Sequence, residues 1–589
     1  MIHNYNTTDT HASGVYPLAF FGSTESASYF ADAPVRALAA FFEEKGLPAI
    51  KNEDREEQWY EDWIAYQKQH GLYASILSPA QYSRRDGCFD LLRYTRFLEV
   101  FAYCSPAHGY SLQVTFLGLF SILMGSNAEL KQEAVDALEA GKLLAFGVSE
   151  RDHGSDLLAN EFVVTETDSG SLVANGAKFY IGNTDTSSII SILGRKTFDE
   201  QAGHHANRAP FLLIALRPNE ASCFRSLGKI RTMGVRAANV GSFEVNNHPL
   251  PRNDVIASGR DAWDAVFGTV TLGKFFLGFG SIGICERAFE EAVAHMRKRV
   301  LYGTAVIAMP HIRANISHAY ARLTAMKLYA YRALDYVHAA SRLDRRYLLF
   351  CAVQKAKVST EGLKVMALLQ ECMGARGFES ETFFEMALRD VQLIPSLEGS
   401  MHINLGLALQ FLPRYFNRPD PALADPPSLV GGETPSRENA YLLEARTGAM
   451  HSIGFRPSFE AYRALAAVPN AVLFAQQVEI FREVAACDDA AKLDLSDMQL
   501  SMALGQCFAT IVYGQLVAEN ASRLGIPNEM ISAVFASLVG DLSALALQLA
   551  AIPQVDDAKR GLLVQMVKVP QTRSADWDFV AEKYSSART

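Results

Sequence analysis

Arg389-Asp390-Val391-Gln392-Leu393-Ile394-Pro395-Ser396-Leu397-Glu398-Gly399-Ser400 sets one carboxylate, Glu398, among apolar neighbours and beside a glycine. Apolar surroundings withhold solvation from the charged form of a carboxyl. That raises its pKa and suits it to act as a general base. Alone, the segment reads more readily as a surface glutamate at a helix edge. Just upstream, Gln370-Glu371-Cys372-Met373-Gly374-Ala375-Arg376-Gly377-Phe378 carries two glycines that would let a backbone approach a phosphate closely.

Three further segments lie N-terminal to these. Arg297-Lys298-Arg299-Val300-Leu301-Tyr302-Gly303 ends a long helical pattern. Cations there complement the helix dipole, and an arginine can also clamp phosphate oxygens bidentately. Lys178-Phe179-Tyr180-Ile181-Gly182-Asn183 is an aromatic strand, which alone is more often a core strand than a cofactor platform. Ala145-Phe146-Gly147-Val148-Ser149-Glu150-Arg151-Asp152-His153-Gly154-Ser155-Asp156 runs from a strand into a Gly-Ser-Asp turn. Backbone N–H groups and hydroxyls in such a turn can hold an anion or a polar ring edge, and an ordinary Asx-type turn looks the same.

The surrounding texture divides the chain. Residues 1–142 read as helical, with Val35–Lys45, Glu57–His70, Phe89–Tyr103 and Ala128–Ala140 at helical spacing and Asn127 as an N-cap. Residues 143–258 hold short β-branched and aromatic runs, with Asp168-Ser169-Gly170, Asn175-Gly176 and Asn246-Asn247 as expected turns. They read as an antiparallel β domain. Helical periodicity fills 259–416. Five prolines and a Gly-Gly pair mark 417–437 as a linker. Residues 438–589 read as an additional helical domain, with long helices at Ala471–Cys487, Ser496–Leu524 and Pro527–Ala551. Gly525 and Pro527 punctuate the last two. The expected class is α+β multidomain: helical domain, β domain, four-helix bundle, added helical domain.

Composition excludes several functions. The chain is 49% hydrophobic and 20% charged, a globular balance rather than a disordered one. Its net charge of −9 disfavours nucleic acid as a partner. Eight scattered cysteines without a CxxC pair argue against a zinc site or a disulfide framework, so no metal is expected and a reducing cytoplasm fits. Met1–Tyr5 opens no signal peptide, and no run is expected to span a membrane, since Asp541 interrupts the apolar Phe535–Leu549.

In order and spacing, these segments together resemble the acyl-CoA dehydrogenase family from about Pro34 to Tyr415. The family's Thr-Glu-Pro-x-x-Gly-Ser-Asp signature looks like Ser149–Asp156, and its Lys-x-Trp-Ile-Thr-Asn strand looks like Lys178–Asn183. Its Arg-x-x-x-Gly helix end resembles Arg299–Gly303. Its Arg-Asp-x7-Glu-Gly-Thr segment resembles Arg389–Ser400 without a gap, and Met233-Gly234-Val235-Arg236 resembles its inter-domain segment.

The resemblance implies an FAD cofactor and an acyl thioester substrate, carried by CoA or by an acyl carrier protein. It implies that Phe146, Val148 and Ser149 border the flavin, that Tyr180 lies against its face and that Gly182 stands near its N5. Arg299, Gly374, Ser400 and His402 would complete the cofactor site. Ser155 would reach the pyrophosphate or the substrate, and Leu397 and Gly399 would line the substrate site. Lys274 stands where the family carries an arginine that contacts the CoA portion. Glu398 would take the α-proton while the β-hydride leaves to flavin N5. The Glu398 N–H and a ribityl hydroxyl would hold the thioester oxygen.

A homo-oligomer, first a dimer, is implied, with an electron-transfer flavoprotein as electron acceptor. Tyr180 replaces the family's Trp, Arg151 its Pro and Leu301 a common Thr. Gly182 replaces a Thr whose hydroxyl touches N5, and this substitution is expected to leave extra space there. An acyl-CoA oxidase, a flavin monooxygenase and a non-catalytic flavoprotein remain alternatives on the same fold. Residues 436–589 resemble the extension of the larger members, some of which approach DNA through basic surfaces. Here that region holds 13 Lys+Arg against 17 Asp+Glu, which disfavours DNA.

Overall fold

The computed structural model describes residues 32–198, 210–220, 223–417, 419–444, 450–486 and 497–586. The readings at Met1–Tyr5 and at Cys487 lie outside them.

Among the described residues six helices come first: α1 (Ala33–Glu56), α2 (Glu61–His70), α3 (Leu72–Leu77), α4 (Leu91–Cys104), α5 (Pro106–Leu123) and α6 (Ala128–Glu139). The Asn127 side chain accepts from the N–H groups of Glu129 and Leu130, and Asp90 likewise caps α4. Helix α5 is buried on every side from Ser111 to Leu123, since it runs between the other helices and the sheet. Gly118 lets α5 press onto the next strand, where a Cβ would lie 2.7 Å from the Ala145 carbonyl oxygen.

Eight strands follow: β1 (Leu143–Gly147), β2 (Val163–Glu166), β3 (Leu172–Gly182), β4 (Ser187–Phe198), β5 (Phe211–Leu216), β6 (Phe224–Lys229), β7 (Val240–Leu250) and β8 (Val255–Ser258). They pair in the order β6-β7-β3-β2-β4-β5-β8, with β1 also on β4. The sheet is mixed rather than purely antiparallel, because β1 and β2 both pair with β4 in parallel. The cause is topological. Strand β3 folds back on β2, and β4 turns back again from β3, so β4 runs with β2 and pairs it.

Asn175-Gly176 is not the expected hairpin turn; it lies inside β3. Opposite it, Asn246-Asn247 lies inside β7, and the register slips there. The Asn247 N–H donates to Asn175 Oδ1 at 2.7 Å. Gly176, at φ 143°, clears room for Phe162, whose Cδ2 would lie 2.7 Å from a Cβ. The β2–β3 turn is made by Thr167–Ser171, through Asp168-Ser169-Gly170.

The bundle comprises α7 (Gly259–Lys298), a small hairpin of β9 (Val300–Leu301) and β10 (Thr304–Ala305), α8 (Pro310–His338), α9 (Tyr347–Val353), a π-helical turn (Gln354–Val358), α10 (Ser359–Met373), α11 (Phe383–Leu393), α12 (Met401–Leu409) and α13 (Leu412–Asn417). The proline-rich segment after α13 is held against it. The Arg332 guanidinium donates to the Pro426 carbonyl at 2.8 Å, Leu429 N–H to Asp335 at 2.9 Å, and Ser436 Oγ to Asp90 at 2.7 Å. The segment is therefore a strap rather than a free spacer.

Helices α14 (Glu460–Arg463), α15 (Pro469–Ala486), α16 (Met498–Arg523), α17 (Asn528–Ala550), α18 (Asp557–Gln565) and α19 (Ser574–Ser586) complete the chain. One hydrophobic core runs from Val35 to Tyr584 through all the helical parts, and a second lies within the sheet.

The expectation that no stretch could span a membrane needs correction. Gly259–Lys298, Met498–Arg523 and Asn528–Ala550 are each long and apolar enough by length and composition. Their apolar windows are 78%, 83% and 72% buried within the protein, so packing accounts for the apolar surface without a bilayer.

Candidate active site

Glu398 follows a 3-10 turn at Ile394–Ser396 and stands at φ 51°, with Gly399 at φ 94° after it. Two successive left-handed residues reverse the chain before Ser400 opens α12 in an extended conformation. For a glutamate this backbone is strained, which is common where function fixes a side chain. The carboxylate points to α5 and α7. Its Oε1 accepts from Gln113 Nε2 at 2.7 Å, and the same amide donates to the Gly273 carbonyl at 3.0 Å.

Glu398 Oε2 is buried with no hydrogen-bond partner among the described residues. Gly273 is what makes room for it, since a Cβ there would lie 2.1 Å away. Burial pushes the Glu398 carboxyl up to about 7, against the opposing pull of the Gln113 hydrogen bond and of Lys355 and Lys274. The Glu398 N–H donates to no acceptor among the described residues. A free carboxylate oxygen and a free N–H thus share one residue.

Two lysines flank the carboxylate. Lys355, on the π-helical turn, donates to the Ile394 carbonyl just before Glu398. Burial pulls Lys355 down to about 7 and Lys274 down to about 8. Lys274 is only 3% exposed. It lies inward, within electrostatic reach of Cys351 and Glu398.

Strands β1 and β3 supply the second wall. Tyr180 sits at a register slip of β3 with φ 60°, and its ring is 59% exposed. The bulge turns that aromatic face outward. Ser149 Oγ donates to the Phe179 carbonyl at 2.7 Å, which ties the loop after β1 to β3. Phe146 is half-buried and Val148 is buried beside them.

The polar residues of these segments mainly hold the walls together. Glu150 accepts from the N–H groups of Glu161 and Phe162 and from Lys178 Nζ at 2.7 Å. Asn183 Nδ2 donates to the carbonyls of Ser111 and Leu144, joining β3 to α5 and β1. Asp390 accepts from Val235 N–H at 2.7 Å, docking the 233–236 segment on the bundle.

Gly182 ends β3 but leaves no gap. A Cβ there would meet Val114 Cγ2 at 2.5 Å and Tyr110 Cε1 at 2.8 Å, so the expected extra space is already filled from α5. The sequence reading missed Tyr110, Gln113, Gly273 and Lys355. Its available signal was a tyrosine and a glutamine one turn apart in a largely apolar helix without charged residues.

The remaining candidates spread outward. Leu397, Gly399 and Ser400 are half-buried around Glu398, and His402 is exposed in the first turn of α12. Ser155 is exposed in the loop after β1. Arg299 is exposed at the end of α7, and its guanidinium has no hydrogen-bond or ion-pair partner among the described residues. Gly374, at φ 59°, opens the turn after α10. Arg299 and Arg376 both act on His295, which puts this turn near the end of α7.

A family model described as the acyl-CoA dehydrogenase C-terminal domain matches residues 261–412, which include Gly273, Lys274, Arg299, Lys355 and Glu398. A short-chain specific acyl-CoA dehydrogenase of Megasphaera elsdenii is 21% identical over 368 residues, covering 62% of this chain and 93% of that protein. Residues 261–412 thus match the acyl-CoA dehydrogenase C-terminal domain, and the chain is similar to acyl-CoA dehydrogenases over most of their length. The likeness to these named dehydrogenases supports an oxidoreductase enzyme. The very long-chain specific acyl-CoA dehydrogenase of Rattus norvegicus is 24% identical, over 66% of this chain and 58% of that protein. Among solved structures, an acyl-CoA dehydrogenase of Bacillus anthracis superposes with a TM-score of 0.71 at 15% identity, covering 99% of each chain. The likeness of fold therefore extends through the C-terminal helices.

Proposed function

We propose that this protein is an FAD-dependent acyl-CoA dehydrogenase in which Glu398 removes the α-proton of the acyl thioester. The observation that carries this reading is the buried Glu398 carboxylate with one unpartnered oxygen, poised near neutral pH beside its own free N–H.

The chain's own groups fit FAD. The outturned Tyr180 ring offers a flat apolar face to an isoalloxazine. The unpaired Arg299 guanidinium suits a pyrophosphate. Ser400 and His402 at the start of α12, and Gly374 at its open turn, suit the remaining polar parts of the cofactor. Phe146, Val148 and Ser149 would border the ring, and Ser155 the phosphates or substrate. When bound, FAD supplies the acceptor for the β-hydrogen and its electron pair.

Glu398 Oε2 takes the α-proton, leaving the carboxyl neutral. The Glu398 N–H donates to the thioester oxygen and stabilises the charge that develops on it. Gln113 holds Oε1 so that Oε2 faces the substrate. Lys274 and Lys355 favour the ionised base before substrate binds. A bound acyl chain excludes water and makes the carboxylate a stronger base. The product is the trans-2-enoyl thioester.

Val114 and Tyr110 close the space at Gly182, which favours a dehydrogenase over an oxidase or monooxygenase. An electron-transfer flavoprotein is accordingly the proposed acceptor. A homodimer belongs to the same reading. The hairpin tip at Tyr302 is 99% exposed and Phe378 is 74% exposed, apolar surface that a second copy would cover. The seven cysteines among the described residues are all free, in keeping with a cytoplasmic location.

The test is anaerobic mixing of the purified yellow protein with acyl-CoAs of graded chain length. Flavin bleaching that Glu398→Gln abolishes is the expected result. Bleaching that survives in Glu398→Gln would refute the assigned base, and no bleaching with any CoA or carrier-protein thioester would refute the activity.

A further inference from the structure

Gly182 and Tyr110 are complementary in shape. Gly182 ends β3 two residues after the outturned Tyr180 ring. A Cβ on it would lie 3.2 Å from the Tyr110 hydroxyl oxygen and 2.8 Å from Tyr110 Cε1. The phenol thus occupies the volume that a side chain at position 182 would take. Helix α5 presents it there together with two other groups. Residues 110, 113 and 114 share one face of the helix. Tyr110 and Val114 meet Gly182, while Gln113 holds Glu398. The same phenol lies within electrostatic reach of Glu398, so it spans the interval between the strand wall and the base.

The Tyr110 hydroxyl makes no hydrogen bond to any described residue. Tyr110 is half-buried and its oxygen is not among the fully buried ones, so it stays open to a group that arrives from outside. Burial, with Glu398 adding to it, holds the phenol protonated, so toward that group it acts as a donor. Val114 Cγ2 packs against the same Gly182 position, 2.5 Å from where a Cβ would lie.

We propose that Tyr110 is a further catalytic residue, whose hydroxyl donates a hydrogen bond to the reactive edge of the FAD ring from the position a residue-182 side chain would hold. The inference rests on the FAD reading above and deepens it. The donor comes from helix α5, the element that also orients the base, so cofactor edge and base are set by one rigid rod. The ring of Tyr110 plugs the space beside Gly182, and its oxygen supplies the hydrogen bond. The two roles separate by mutation.

The test uses the holoenzyme and a chemical reductant, so it does not require an acyl-CoA. Tyr110→Phe keeps the plug and removes only an unpaired hydroxyl. It should take up FAD as wild type does, with a shifted flavin absorption band. The reduced form should be stabilised about tenfold less, a drop of about 30 mV for a two-electron couple. A triple variant, Tyr110→Ala with Val114→Ala and Gly182→Thr, returns a hydroxyl from the strand and should recover much of the potential. An unchanged potential and spectrum in Tyr110→Phe would overturn the proposal, as would a triple variant no closer to wild type than Tyr110→Ala alone. A wild-type chain that binds FAD but is bleached by no acyl thioester would refute the dehydrogenase reading and leave this one to be decided by the potentials. A chain that takes up no FAD would overturn both.

Discussion

Glu398 illustrates how far one residue's chemistry is set by its neighbours. Its carboxyl titrates near 7 because burial outweighs three stabilising groups, of which the Gln113 amide is the largest. The base must be ionised to accept a proton, so kcat/KM should rise with pH through about 7. Gln113→Leu removes a donor that favours the ionised form, so the rising limb should move to higher pH in a pH–rate profile. The same raised pKa carries a stability cost. The folded carboxyl holds its proton more tightly than the unfolded one, so stability falls as pH rises from about the unfolded value of 4.5 through about 7. Glu398→Gln should therefore unfold at or above the wild-type temperature at pH 8 while losing turnover. A lower melting temperature would contradict the assignment of the carboxylate as buried and strained. Gly273→Ala tests the geometry. Its methyl would lie 2.1 Å from Glu398 Oε2, and displacing a reacting atom by about 1 Å costs about a hundredfold in rate. Single-turnover flavin reduction would measure that loss with folding intact.

At the scale of elements, the helix starts at Asn127 and the strand at Phe211–Leu216 were legible because caps and short β-branched runs act locally. Asn175-Gly176 misled because the pair is a strong local turn signal, yet its glycine serves a tertiary need. Phe162 crosses β3 at that point, and only a residue without a Cβ lets it pass. The strand parallelism was equally illegible, since it depends on which strand returns beside which. Gly176→Ala should then be destabilising twice over, through its φ of 143° and through contact with Phe162 at 2.7–2.9 Å. A loss of about 1–3 kcal/mol is expected, read as a lower denaturation midpoint of the β part. Glu398 itself was legible from its apolar flanks. Its supports were not, because Gln113 and Gly273 reach it from 285 and 125 positions away in the chain, and no local pattern encodes such a meeting.

At the scale of the whole molecule, the C-terminal helices behave as part of the enzyme's core rather than as an appended module. Gly505 of α16 packs against Leu405 of α12, one turn beyond the segment that carries Glu398. Tyr513 stacks on Tyr329 of α8 at 4.9 Å. Asp541 of α17 accepts from Arg322 Nη1 at 2.9 Å and Lys364 Nζ at 2.8 Å, bridging α8 and α10. The Arg332 guanidinium joins α8 to the strap and to Glu519 of α16. Cutting the chain after 436 would leave Arg322, Lys357 and Lys364 facing Glu361 alone, and it would bare the apolar sides of α8 and α12. Both effects are severe, since breaking buried ion clusters costs about 3–5 kcal/mol for each lost partner and a large exposed apolar face drives association. Residues 1–436 expressed alone should therefore aggregate, even though they contain every candidate site residue. Asp541→Asn is the milder probe of the same seam. It should loosen α17 first, giving earlier proteolytic cleavage within 497–586 while FAD content stays at the wild-type level. A soluble, FAD-loaded 1–436 fragment would instead make the extension dispensable and assign its apolar helices to another partner.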